Sequence, residues 1–179
     1  MLALLHPKPT NWWQTKVLVS ACVLLTHLLF SNFSFAADGR ADYDLDDDGL
    51  IEINDLADLN EIRNNIDGKT LYGSSFGCPG SCKGFELTTD LDFDTNQDGK
   101  INAHDDYWND GQGWLPSILD YAQFNGNGHA IRHLMINRPS TELVGLFGYI
   151  NHADIRQVIL TEVDVQGEER VGGLVGYAY

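Results

Sequence analysis

The chain has 179 residues, 43% of them hydrophobic, and a formal net charge of −15. That apolar content is enough for a core and excludes a wholly disordered chain. The acidic balance lacks the basic face that phosphate binding needs, so nucleic acid is not an expected partner, whereas cations are.

Residues 1–36 contain no Asp or Glu, and "VLVSACVLLTHLLF" (17–30) is an apolar run followed by "SNFSFA" (31–36). The pattern predicts a signal peptide over 1–36, cleaved after Ala36, and hence a secreted or cell-surface protein. The run is shorter than the ~20 apolar residues of a membrane helix and is interrupted by Ser20, Thr26 and His27, so no stable span is expected after cleavage. Cleavage removes Lys8 and Lys16 and no acid, leaving nine Lys or Arg against 26 Asp or Glu. It also leaves two cysteines, Cys78 and Cys82 in "GCPGSC", which in an exported chain predict a disulfide closing a tight loop.

Next comes "DLDDDGLIEIND" (44–55). Read as a twelve-residue calcium loop, it puts Asp44, Asp46, Asp48 and Asp55 at positions 1, 3, 5 and 12. Gly49 stands at the sharp turn of position 6, Leu50 offers its carbonyl at position 7, and Ile51 is the apolar anchor at position 8. A second loop, "DTNQDGKINAHD" (94–105), repeats the spacing with Asp94, Asn96, Asp98 and Asp105, Gly99, the Lys100 carbonyl and Ile101. Two carboxylates ~5 Å apart repel by about 3 kcal/mol at an effective dielectric near 20. Each loop therefore either splays open as a solvated turn or takes up a divalent cation. Up to two Ca²⁺ ions are expected, with the second loop the weaker for having an amide in place of one carboxylate. Ending on Asp, both loops resemble those of dockerins, but their starts lie 50 residues apart and no helix is predicted after the second.

Between the loops, "LADLNEIRNNI" (56–66) has Leu56, Leu59, Ile62 and Ile66 near helical spacing and predicts a helix. "FELTTDLDF" (85–93) alternates, which predicts one half-buried strand with Phe85, Leu87, Thr89, Leu91 and Phe93 on its inner face. After the glycine turn "FNGNGH" (124–129) the sequence repeats. "AIRHLMI" (130–136) aligns with "DIRQVIL" (154–160) at an offset of 24, and "LVGLFGY" (143–149) with "VGGLVGY" (171–177) at 28. A β-rich repeat of this length predicts a solenoid, with Gly145, Gly148, Gly173 and Gly176 at bends or close backbone approaches. The organisation expected is a signal peptide (1–36), a cap region with both Asp-rich loops and one helix (37–110), and solenoid repeats (111–179).

"ELVGLFG" and "RVGGLVG" resemble the GLUG motif of bacterial secreted and surface proteins. The ordered series from "DGLIEI" through "GFELTTDLDFDTN", "YWNDGQGW" and "FNGNGHAIRHLMINRP" resembles the usual lead-in to such repeats. The resemblance covers roughly 42–179 and implies a mainly β fold, the start of a right-handed parallel β-helix with a short N-terminal α-helical cap. With two motif copies before Tyr179, the chain reads as a truncated product or the first part of a longer protein.

No catalytic set stands out. His129 and His133 lack a metal-protease context, and acid pairs are too abundant to select any one. Tyr107, Trp108 and Trp114 suit either sugar stacking or burial in the cap. The function expected is a non-catalytic, calcium-binding β-solenoid in surface adhesion or as an extracellular scaffold, with a surface protein or a polysaccharide as partner. The alternative is a β-helical carbohydrate-active enzyme or its carbohydrate-binding part.

Overall fold

A chain of short apolar segments separated by polar corners can bury those segments by coiling, so that each hydrogen-bonds to its counterpart one turn on. The computed structural model describes residues 40–179 and shows this arrangement; the predicted signal peptide lies outside the described residues. Four strands, β1 (Ile51–Ile53), β2 (Gly84–Leu87), β5 (Gln123–Asn125) and β9 (Asp154–Arg156), form one parallel sheet in the order β1-β2-β5-β9. Strands β3 (Leu91–Asp92), β6 (Ala130–Arg132) and β10 (Ile159–Thr161) form the second face. Strands β7 (Met135–Asn137) and β11 (Asp164–Gln166) form the third. The fourth contains β4 (Ser117–Asp120), β8 (Phe147–Asn151) and β12 (Val175–Ala178). Every pairing between these strands is parallel. The protein is a β-solenoid, four strands deep on its longest face, with a single short α-helix among the described residues.

Register explains the core. Ile51, Phe85, Phe124 and Ile155 stack one above another on the inward side of the first face, and Leu91, Ile131 and Leu160 do so on the second. Phe124 meets Phe147 edge-on across the interior, ring centroids 5.1 Å apart. The segment 85–93 is not one strand. It breaks at the exposed Thr88–Asp90 corner, so β2 and β3 belong to different faces while Phe85, Leu87, Leu91 and Phe93 all still point inward. Period-two alternation is satisfied by both geometries, and Thr89 is the residue that leaves the pattern.

The glycine repeat holds at its predicted offset of 28: Phe147 pairs with Val175 and Tyr149 with Tyr177. The offset of 24 does not hold. Ala130 pairs with Ile159, 29 residues on, whereas "DIR" (154–156) pairs with Gln123–Asn125 on another face. Similar letters there occupy different sides of the coil. Many corners are turned by single non-glycine residues in the left-handed region, among them Tyr121 and His152 between the fourth and first faces, and His133 and Glu162 between the second and third. Gly148 and Gly84 serve close approach instead: a Cβ on Gly148 would stand 2.3 Å from the Leu143 carbonyl oxygen, and one on Gly84 2.2 Å from that of Gln123.

The predicted helix forms as α1 (Leu56–Glu61), continued by a 3-10 turn, Ile62–Asn64. Leu56, Leu59 and Ile62 bury its apolar stripe. Asp55 caps it, its carboxylate accepting from the Asp58 N–H at 2.9 Å. Trp114 is 1% exposed and packs edge-on against Phe93 at 5.4 Å, while its indole N–H donates to the Leu146 carbonyl at 3.0 Å. Burial, not sugar stacking, is its role. The Cys78–Cys82 disulfide is formed and closes the loop that precedes β2.

Candidate metal centre

Both Asp-rich loops fold the same way, for reasons local to each. The position-1 carboxylate, Asp44 or Asp94, is buried and accepts two backbone N–H groups. These come from Asp48 (3.0 Å) and Gly49 (2.9 Å) in the first loop, and from Asp98 (3.2 Å) and Gly99 (2.8 Å) in the second. Position 3 accepts the N–H of position 5, at 3.2 Å for Asp46 and 2.9 Å for Asn96. Position 5 accepts the N–H of position 7, Leu50 to Asp48 at 2.7 Å and Lys100 to Asp98 at 3.0 Å. Gly49 and Gly99 both have positive φ, 88° and 80°, as do Asp47 and Gln97 before them, 60° and 58°. The likeness starts earlier than position 1. Asp42 and Asp92 each accept the N–H two residues on, beside a buried Tyr43 or Phe93. "DYDLDDDG" and "DFDTNQDG" are thus one structural unit used twice, and the aligned Asp42 and Asp92 were the signal a wider window would have caught.

Beyond position 7 the loops part. In the first, Asp44, Asp46 and Asp48 bring carboxylate oxygens within 4.8 Å of one another, and Asp46 does the same with Glu52 and Glu86. Glu52 lies in β1 and Glu86 opposite it in β2. They are 4% and 6% exposed. One oxygen of Glu52 accepts from the Leu45 N–H; the other, Oε2, is buried with no hydrogen-bond partner. Glu86 accepts from the Asn127 amide at 2.6 Å. Burial pushes the carboxyls of Asp44, Glu52 and Glu86 above their ordinary range, and their acidic neighbours push the same way. Asp55 does not join this group: it caps α1 and lines a groove of about 380 Å³ with Asp90, Asp92, Asp94 and Asp106. Lys83 passes over Gly49, its Cε 2.9 Å from where a Cβ would stand.

In the second loop Asp105 does return to the loop. It is buried and accepts from the N–H groups of Asn96 (3.2 Å) and Asn102 (2.8 Å). Burial alone would raise its pKa, but these N–H groups and Thr95 together hold it below the usual carboxylate range. The Asn102 amide donates to Asp98 at 3.0 Å and to the Lys100 carbonyl at 3.1 Å, two of the predicted ligands. Three mutually close carboxylates do not occur in this loop among the described residues. The first loop concentrates carboxylates; the second adds a side-chain amide to its backbone donors.

His129 and His133 flank β6, with Asp90 near the first at 3.3 Å and Asp92 near the second at 2.8 Å. Glu162 also pairs with His133. Beside them a groove of about 400 Å³ is lined by Trp108, His133, Asn137, Glu162, Asp164 and Gln166, among others. No described helix is long and apolar enough to cross a membrane.

The chain is similar to halomucin of Haloquadratum walsbyi (strain DSM 16790 / HBSQ001), 34% identical over 126 residues. The match takes in 69% of this chain and 1% of halomucin, so the chain spans about a hundredth of that protein's length. No family model and no solved structure matches the chain.

Proposed function

We propose that this chain is a non-catalytic, exported, calcium-binding β-solenoid that serves as an extracellular scaffold or in cell-surface adhesion. The observation that carries the calcium reading is the pair of identically folded Asp-x-[Asp/Asn]-x-Asp-Gly loops, each holding its position-1 carboxylate on two backbone N–H groups. That preorganisation fixes oxygen ligands of the kind a hard cation takes. The likeness to halomucin, the GLUG-like glycine repeats and the predicted signal peptide support a place outside the cell. Ion binding at the first strands would stiffen the end from which the coils stack, a structural use of calcium rather than a chemical one.

Calorimetric titration with calcium, and melts in calcium and in chelator, test this. The expected result is saturable binding with a higher Tm in calcium, since a ligand of the native state must raise apparent stability. Absence of heat and an unchanged Tm would overturn it. The second reading, a β-helical carbohydrate-active enzyme or its carbohydrate-binding part, is favoured by the groove beside Trp108, where an indole, two amides and two acids converge. A polysaccharide panel separates the two: reproducible cleavage lost in Glu162→Gln would replace the scaffold with an enzyme.

A further inference from the structure

We infer that the cation of the first loop is held by Asp44, Asp46 and Asp48 together with Glu52 and Glu86, and not by Asp55. The inference rests on the calcium reading and specifies the site. Three observations carry it. Asp46 lies within 4.8 Å, oxygen to oxygen, of both glutamates as well as of Asp44 and Asp48, so one carboxylate joins the two groups. Glu52 and Glu86 face each other across the β1–β2 register, where like charges are destabilising unless something positive sits between them. Glu52 Oε2 is buried without a partner, an arrangement that native proteins avoid. Calcium takes about six to eight oxygens at roughly 2.3–2.6 Å. The two groups are separate triads that share Asp46, so one ion drawing on all five carboxylates would pull a loop, the strand that follows it and the strand of the next coil together, whereas the position-12 side chain is engaged at the start of α1.

An ion so held is a staple. The loop motif closes on itself in sequence, but Glu86 is 34 residues beyond Glu52 and reaches the site only after β2 has paired with β1. Binding is then coupled to the first turn of the solenoid: calcium favours the paired state, and pairing completes the cage.

The test is calorimetric titration of the full chain in an Asp98→Asn background, which weakens the second loop. Glu52→Gln and Glu86→Gln are each expected to lower the affinity of the remaining site at least tenfold, and Asp55→Asn to leave it within twofold. Melts in chelator verify that each variant is folded, and Glu86→Asp, which keeps the charge but shortens its reach, is expected to weaken binding as well. A tenfold loss in Asp55→Asn with Glu86→Gln unchanged would restore the twelve-residue loop and overturn the inference while leaving calcium binding intact. Parent-like affinity in all three would confine the site to the aspartates and also overturn it. No calcium binding by the unsubstituted chain would defeat the calcium reading itself.

Discussion

Glu86→Gln should stabilise the protein in chelator and gain less stability from calcium than the parent does. Without an ion, the Glu86 carboxylate stands within 4.8 Å of Glu52 and of Asp46. At that separation each pair repels by about 3 kcal/mol for an effective dielectric of 20, and by about 1 kcal/mol for one near that of water. Removing the charge removes both terms, while the bond from Asn127 is weakened by about 1 kcal/mol as it loses its charged acceptor. The net gain lies between about 1 and 6 kcal/mol across that range of dielectric, or roughly 2–24 °C in Tm at about 2–4 °C per kcal/mol. In saturating calcium the same change removes a ligand, and each tenfold of lost affinity costs about 1.4 kcal/mol. Scanning calorimetry of both proteins in EDTA and in calcium measures the two differences. The gain in chelator should also shrink as the pH falls toward the ordinary carboxylate range. Glu86 has a raised folded pKa, so its destabilising effect is full above that value and fades as the native carboxyl takes up a proton. A lower Tm for Glu86→Gln in chelator at pH 7 would refute the reasoning, because it would mean that the charge is already compensated by the protein.

Trp114→Ala should lose about 3–5 kcal/mol, read as a fall in urea midpoint, since the indole fills the space beside Phe93 and Tyr107 and bonds the Leu146 carbonyl. Among the repeat glycines, Gly148→Ala should cost at least about 2 kcal/mol, because its Cβ would meet the Leu143 carbonyl oxygen at 2.3 Å. Gly173→Ala should stay within about 0.5 kcal/mol, its nearest neighbours being side-chain atoms at 3.5 and 3.6 Å; paired melts of the two variants compare them directly. Asp55→Ala should cost about 1 kcal/mol of stability through loss of the α1 cap, seen by thermal melting in chelator.

What was legible in the sequence was whatever is decided locally. The two loop conformations follow from Asp at positions 1 and 5 and glycine at position 6, all within one turn of chain, and each reads directly from the letters. The β-solenoid was legible through Gly148 and Gly176, whose missing side chains admit a neighbouring backbone, which ties them to one place in each coil at an offset of 28; Gly173, expected at such a place, has only side chains at 3.5 and 3.6 Å. "AIR" and "DIR" carry no such constraint, since an apolar residue between two polar ones suits any face, and the alignment slipped to 24. The corner inside 85–93 was hidden because alternation does not distinguish a straight strand from one that turns between two inward residues.

The candidate site shows the same divide at higher stakes. A twelve-residue window assigns Asp55 and Asp105 the same job, yet one caps a helix and the other folds back onto its loop. The first loop runs directly into β1, so its chain is extended by Ile51 and carries position 12 away, and Glu86 stands opposite Glu52 on the strand that β1 pairs with. The second loop has no strand behind it, so its chain can turn at Asn102, returning Asp105 and setting an amide against Asp98 and the Lys100 carbonyl. The element that follows the motif therefore decides whether the same aspartates gather carboxylates from neighbouring strands or accept donors from their own loop. Of the two loops, the one built into the β-sheet is the one that brings the most carboxylates together.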